Sequence, residues 1–197
     1  MKTKIEGKRI AILVDNGFEH SEFVEPIQAI KDHGGEAVIV SPKDKVKSWK
    51  NGQWGEEFRV DMALSEASPD DFDGLVLPGG VINPDLLRMN SQAIEFVKGF
   101  FSENSQKPVA AICHGPWTLI NAGVVRGRRM TSYESIKVDL LNAGAKWVDE
   151  EVVVDRGLVT SRNPDDLQVF CAKLIEEIYE GKHKVNKSKE VRPTNPR

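Results

Sequence analysis

The chain has 197 residues, 40% apolar and 29% charged, which suits one soluble α/β domain with its own core. No apolar run approaches the roughly 18 residues that a bilayer span needs, and a formal net charge of −3 argues against a nucleic-acid partner. Two cysteines, Cys113 and Cys171, are too few for a disulfide framework and make a reducing cytoplasm the expected location.

In chain order, the start carries lysines, but its apolar run at 10–14 is too short for a signal-peptide core. "RIAILV" (9–14) predicts a buried strand. "HSEFVEPIQAIKDHGG" follows with Phe23, Val24, Ile27 and Ile30 at helical spacing and stops at Gly34-Gly35. "EAVIVS" completes a βαβ unit, which implies a parallel sheet. Asn51-Gly52, between short alternating segments, predicts a hairpin. "FDGLVLPGG" is a further buried strand, "NSQAIEFVKGFFSEN" an amphipathic helix, "PVAAI" a strand and "GPWTLINAG" a helix. "AKWVDEEVVVDRGLVTS" reads as strand, turn, strand. The last helix, "PDDLQVFCAKLIEEIYEG", lines up Leu167, Phe170, Cys171, Leu174, Ile175 and Ile178. No repeat or linker interrupts 1–181, so a single domain is expected there. Residues 182–197 hold six basic side chains and one acid, leaving a body with 21 basic and 29 acidic residues. That tail is expected to be flexible and solvated.

Such an alternation predicts an open α/β sandwich, with ligands outside the carboxyl ends of the strands. Three loops there are unusual: "DNGFEHSE", "PGGVINPD" and "CHGP". Cys113 stands at a strand-to-helix corner of the nucleophile-elbow kind. Gly115 permits close backbone approach and Pro116 suits a first helical turn. The helix N-terminus is expected to favour a thiolate. Cys171 reads as a structural thiol. His114 adjoins Cys113, although neighbouring side chains usually diverge. His33 reads as a helix-end cap, His20 as a surface residue and His183 as part of the polar tail. Glu22 reads as an acid decorating a helix start. Glu19, just past the first strand, is expected to reach the elbow, hold the thiolate and exchange protons with substrate. Gly79-Gly80 offers backbone N–H groups of the sort an oxyanion hole requires. Phosphate-loop glycine patterns and zinc-ligand spacing are both absent, so no cofactor and no metal are expected.

Together, "GFEHSE", "LVLPGG", "AICHGP" and "TSYESIKVDLLNAGAKWVDEEVVVDRGLVTSRNPDDL" resemble the PfpI-like intracellular proteases and deglycases of the ThiJ/PfpI superfamily, from about residue 9 to residue 179. The resemblance implies a flavodoxin-like, class I glutamine-amidotransferase-like three-layer sandwich with a mostly parallel sheet. It makes Cys113 the nucleophile, Glu19 its hydrogen-bonding carboxyl, His114 the neighbouring histidine, and Asp85 of another subunit the acid that orients it. Gly80 and His114 would supply the oxyanion hole. A homo-oligomer, at least a dimer, is implied, with its active site near the interface. An amidotransferase would need a late catalytic histidine, and only His183 follows His114. The expected function is a stress-associated, cysteine-dependent enzyme acting on small carbonyl compounds or on glycated proteins and peptides, deglycase- or glyoxalase-like. An intracellular peptidase is the alternative from the same residues. A non-enzymatic chaperone or redox sensor is the alternative of another class. Neither nucleic acid nor membrane is an expected partner.

Overall fold

Alternation along one strand sets the layering. In β1 (Arg9–Leu13), Ile10 and Ile12 join one buried cluster while Ala11 and Leu13 join another. The strand is apolar throughout because both its faces are covered. The computed structural model describes residues 4–103 and 105–181. The basic tail, 182–197, with His183, lies outside the described residues.

After β1 come β2 (Phe18–Glu19), α1 (His20–Asp32) and β3 (Glu36–Ser41). The hairpin expected at Asn51-Gly52 is formed by β4 (Lys45–Lys50) and β5 (Gln53–Arg59). Both turn residues are left-handed, with φ 51° and 76°, as the tight turn between twisted strands requires. β6 (Met62–Ala63), β7 (Gly74–Leu77), α2 (Ile82–Met89), α3 (Ser91–Phe100), β8 (Val109–Ile112) and α4 (Pro116–Asn121) follow. β9 (Arg129–Met130), α5 (Lys137–Asn142), β10 (Lys146–Trp147), β11 (Val152–Asp155), β12 (Leu158–Ser161) and α6 (Leu167–Glu180) complete the described chain.

The main sheet runs β11-β12-β8-β7-β1-β3-β6, parallel except for the β11–β12 hairpin at one edge. One core packs α1 and α6 on the face carrying Ile10, Ile12, Val76 and Ile112. The other packs α2 to α5 on the face carrying Leu13, Leu75, Leu77 and Ala111. This is the flavodoxin-like three-layer sandwich that the resemblance implied.

Two segments differ from expectation. The first part of 145–161 pairs with β9 in a separate two-stranded sheet, not with the hairpin that follows. The stretch after Gly80, expected as part of the loop "PGGVINPD", is the helix α2. Proline costs little in a first helical turn, where its missing N–H has no partner to lose. Asn83 is fully buried, accepts the Asp15 N–H at 2.7 Å, and donates to the carbonyls of Pro78 at 2.9 Å and Gly79 at 3.2 Å. It ties the helix start to the ends of β1 and β7.

Candidate active site

The site forms where β8, β7 and β12 end together. Cys113 directly follows β8 with φ 61°, a left-handed conformation that costs a non-glycine residue on the order of 1–3 kcal/mol. Its neighbours hold it there. The Cys113 N–H donates to the Ser161 carbonyl at 3.1 Å, and its carbonyl accepts the Tyr133 N–H at 2.9 Å. The chain then reverses so tightly that a Cβ at Gly115 would lie 2.4 Å from the Leu77 carbonyl oxygen. Only glycine fits, and α4 begins at the next residue.

Gly79 marks where thiol and carboxyl converge. A Cβ there would lie 2.6 Å from Cys113 Cβ and 2.6 Å from Glu22 Oε2. The Gly79 N–H donates to Glu22 Oε2 at 2.8 Å. Glu22 Oε1 has no hydrogen-bond partner, and the residue is fully buried. The carboxyl at the thiol is therefore Glu22, which corrects the expectation for Glu19. Glu19 precedes the first turn of α1, is half-buried, and accepts the Ser21 hydroxyl at 3.3 Å. The reason is helical geometry: side chains lean toward the N-terminus, so an acid one turn inside α1 reaches back over the strand ends. A signal for this was present in the sequence. Glu22, Pro26 and Ile30 recur every four residues on the buried stripe of α1, so a charged residue sat among core positions.

Burial pushes the Glu22 pKa up to about 8, against the opposing effect of the Gly79 N–H, so its carboxyl is mostly neutral at pH 7. Burial also pushes the Cys113 thiol up, and a negative Glu22 would push it further. The helix terminus was expected to hold this thiol low. With only six residues in α4 and the sulfur enclosed, desolvation outweighs it. The N–H groups of Gly80 and His114 act in the opposite direction, toward a thiolate. Two anions this close are mutually excluded, so the pair loses its first proton as a unit. A negative Glu22 opposes charge on the sulfur, and a protonated Glu22 does not.

His114 Nδ1 lies 3.2 Å from Cys113 Sγ, so these sequence neighbours do meet. The left-handed turn at Cys113 makes this possible. His114 Nε2 lies 2.9 Å from Ser135 Oγ. The ring stacks on Tyr133 at 4.9 Å and meets the edge of Trp117 at 5.3 Å. Burial holds its pKa below the ordinary value, so it is neutral at pH 7. Ser135 and Tyr133 escaped sequence reasoning, because no local periodicity links "SYES" to the elbow. Both line a polar cleft of about 530 Å³, walled also by Trp147, Asp149 and Arg162.

The other candidates fall elsewhere. Asp85 lies on the exposed face of α2, and its chain brings it into no hydrogen bond or ion pair with His114. His33 closes α1, its Nδ1 2.7 Å from the Ala29 carbonyl. His20 sits by Ser48 and Glu56 in the small sheet. Cys171 packs half-buried on α6. Among the described residues, no group of three His, Cys, Asp or Glu could hold a metal ion, and no helix is long and apolar enough to cross a membrane.

Residues 8–177 match the sequence pattern of the DJ-1/PfpI family. A deglycase of Pyrococcus abyssi is 47% identical over 168 residues, covering 85% of this chain and 98% of the relative. General stress protein 18 of Bacillus subtilis is 46% identical over 165 residues, covering 83% and 94%. The crystal structure of Drosophila melanogaster DJ-1beta has a TM-score of 0.79 at 28% identity, covering 87% of this chain and 90% of that one.

Proposed function

The chain belongs to the DJ-1/PfpI family, and from that premise we propose that it is a cysteine-dependent enzyme acting on reactive carbonyls or their glycation adducts. One observation carries the reading: a fully buried, mostly neutral carboxyl shares the corner of a left-handed cysteine that also faces two backbone N–H groups. In the proposed step, the Cys113 thiolate attacks the substrate carbonyl carbon. The S–C bond forms, the C=O π pair moves onto oxygen, and the Glu22 proton passes to that oxygen. The N–H groups of Gly80 and His114 stabilise the charge while it is on sulfur or on the oxyanion beside it. The similarity to a protein named deglycase supports this substrate class.

A peptidase reading has its own support. The cleft beyond His114, about 530 Å³, is far larger than a three-carbon aldehyde requires and suits a peptide side chain. We also propose a homo-oligomer, in line with a family whose members are generally oligomeric. Asp85 is flanked on α2 by exposed Val81, Ile82, Leu86 and Met89, an apolar face suited to a second copy. That contact would bring a neighbour's Asp85 to the rim of the site.

The test compares wild type and Cys113→Ala on methylglyoxal, a methylglyoxal-glycated peptide, an unmodified peptide and an unfolded protein. Thiol-dependent turnover of the first two supports the proposal. Turnover of the unmodified peptide alone transfers the case to the peptidase. Suppressed aggregation with no turnover of anything would replace enzyme by chaperone.

A further inference from the structure

Both ring nitrogens of His114 are engaged within one chain, Nδ1 with the Cys113 sulfur at 3.2 Å and Nε2 with the Ser135 hydroxyl at 2.9 Å. Tyr133 and Trp117 hold the ring in place. A neutral imidazole carries one N–H, so the two contacts are coupled. When the sulfur is protonated and donates to Nδ1, the ring proton sits on Nε2 and is donated to Ser135. When Nδ1 carries the proton and donates to a thiolate, Nε2 is bare and needs a donor. A hydroxyl serves in both arrangements, whereas a carboxylate serves only in the first.

We propose that Ser135 is a positioning residue that lets His114 change tautomer as Cys113 ionises, so that the thiol proton leaves through the adjoining cleft. The inference deepens the reading of Cys113 as a reactive thiol and rests on it. The protons balance. The S–H proton passes to Nδ1, the Nε2 proton passes to Ser135 Oγ, and the hydroxyl's own proton passes to solvent in the cleft that Ser135 lines. The ring is neutral before and after. Burial makes the alternative, storing the proton as an imidazolium, unfavourable.

Other charged groups lie around this pair. Glu22 of α1 reaches the sulfur, and Glu19, in the strand before it, acts on Glu22. Arg88 of α2 lies over the Trp117 ring at 5.1 Å, and Asp139 of α5 accepts the Trp117 indole N–H at 2.7 Å. Asp85 lies on the exposed face of α2. Across the cleft stand Glu134, Asp149 and Arg162, the last hydrogen-bonded to Asp149 and Asp166. Glu22 shares the corner with the thiol and is itself titratable, so the readout must sit on His114 itself.

Two measurements test this without any substrate: imidazole 15N NMR of His114, and the iodoacetamide labelling rate of Cys113, both across pH. The wild-type ring is expected to stay neutral while its N–H moves from Nε2 to Nδ1 as the thiol ionises. Ser135→Ala is expected to slow labelling at pH 7 by about tenfold and raise the midpoint, the worth of one hydrogen bond to a charged system. Ser135→Thr, which keeps the hydroxyl, restores both. An Nε2–H that persists through the titration, an imidazolium, or an unchanged labelling profile in Ser135→Ala overturns the proposal. Should Ser135→Ala fail to fold, the wild-type NMR decides. Because no substrate enters, failure here leaves the carbonyl reading standing, and loss of that reading leaves this one testable.

Discussion

Two free thiols in the same chain differ in almost everything except chemistry. Cys171 lies on the regular helix α6, and burial, then the charge of Glu25, pushes its thiol up to about 12. Cys113 is also raised by burial, and also lies near an acid. The distinction is in what converges on the sulfur. At Cys113 the backbone is forced left-handed, N–H groups of Gly80 and His114 face the sulfur, an imidazole touches it, and the neighbouring acid is itself neutralised by burial. Burial alone makes a thiol inert. At Cys113, directed N–H donors act against the rise that burial imposes, whereas at Cys171 burial and the charge of Glu25 act together.

The sharpest way to break that contrast is to remove the carboxyl. Glu22→Gln keeps the shape but cannot pass a proton to the substrate, and turnover is expected to fall roughly 10²–10⁴-fold, while Glu19→Gln stays within about twofold. Steady-state rates of the two variants check this. If Glu19→Gln is the damaged one, the assignment of the acid returns to the residue before α1.

Stability should move the opposite way. Below pH 4.5, Glu22 is protonated folded and unfolded, and burial carries no ionisation penalty. As pH rises toward 8, the unfolded chain ionises first, so the folded state loses up to about 3 kcal/mol by pH 7 and levels off above its folded pKa. Glu22→Gln lacks that loss. Denaturant midpoints should coincide near pH 4.5 and separate steadily to pH 8, with the variant the more stable.

A smaller effect is expected at Gly79→Ala. The added methyl would meet the Cys113 Cβ and the Glu22 carboxyl, so the corner must open, at a cost of about 1–3 kcal/mol. Thermal denaturation reads the cost, and slower iodoacetamide labelling of Cys113 reads the displaced thiol. The smallest change is Cys171→Ala. A half-buried thiol on a helix should cost about 1 kcal/mol or less and leave labelling of Cys113 untouched.

Much of this was legible in the chain. The doubly buried strands announced themselves as unbroken apolar runs, the Asn51-Gly52 turn needed left-handed residues, and "CHGP" at a strand end marked the elbow. Glu22 was misread because an acid near a helix start has a sufficient local explanation in the dipole. Its place on the stripe with Pro26 and Ile30 was the stronger sign. Asp85 falls in "PGGVINPD", which reads as a loop from its Gly pair and Asn-Pro, whereas the buried Asn83 ties that segment to the ends of β1 and β7 as a helix start.

Periodicity and turn chemistry are short-range, so the sequence by itself determined the order of strands and helices, the layering and the strand-to-helix corner at Cys113. The groups gathered around that corner, directly or through a neighbour, come from chain positions 22, 79, 80 and 135, brought together because β7 and β8 end, and α1 begins, at one edge of the sheet. Tertiary structure alone decided which acid is buried, which hydroxyl meets the imidazole, and that a thiol beside a helix start is governed by desolvation and its neighbours more than by the helix, because those depend on distances between residues far apart in sequence.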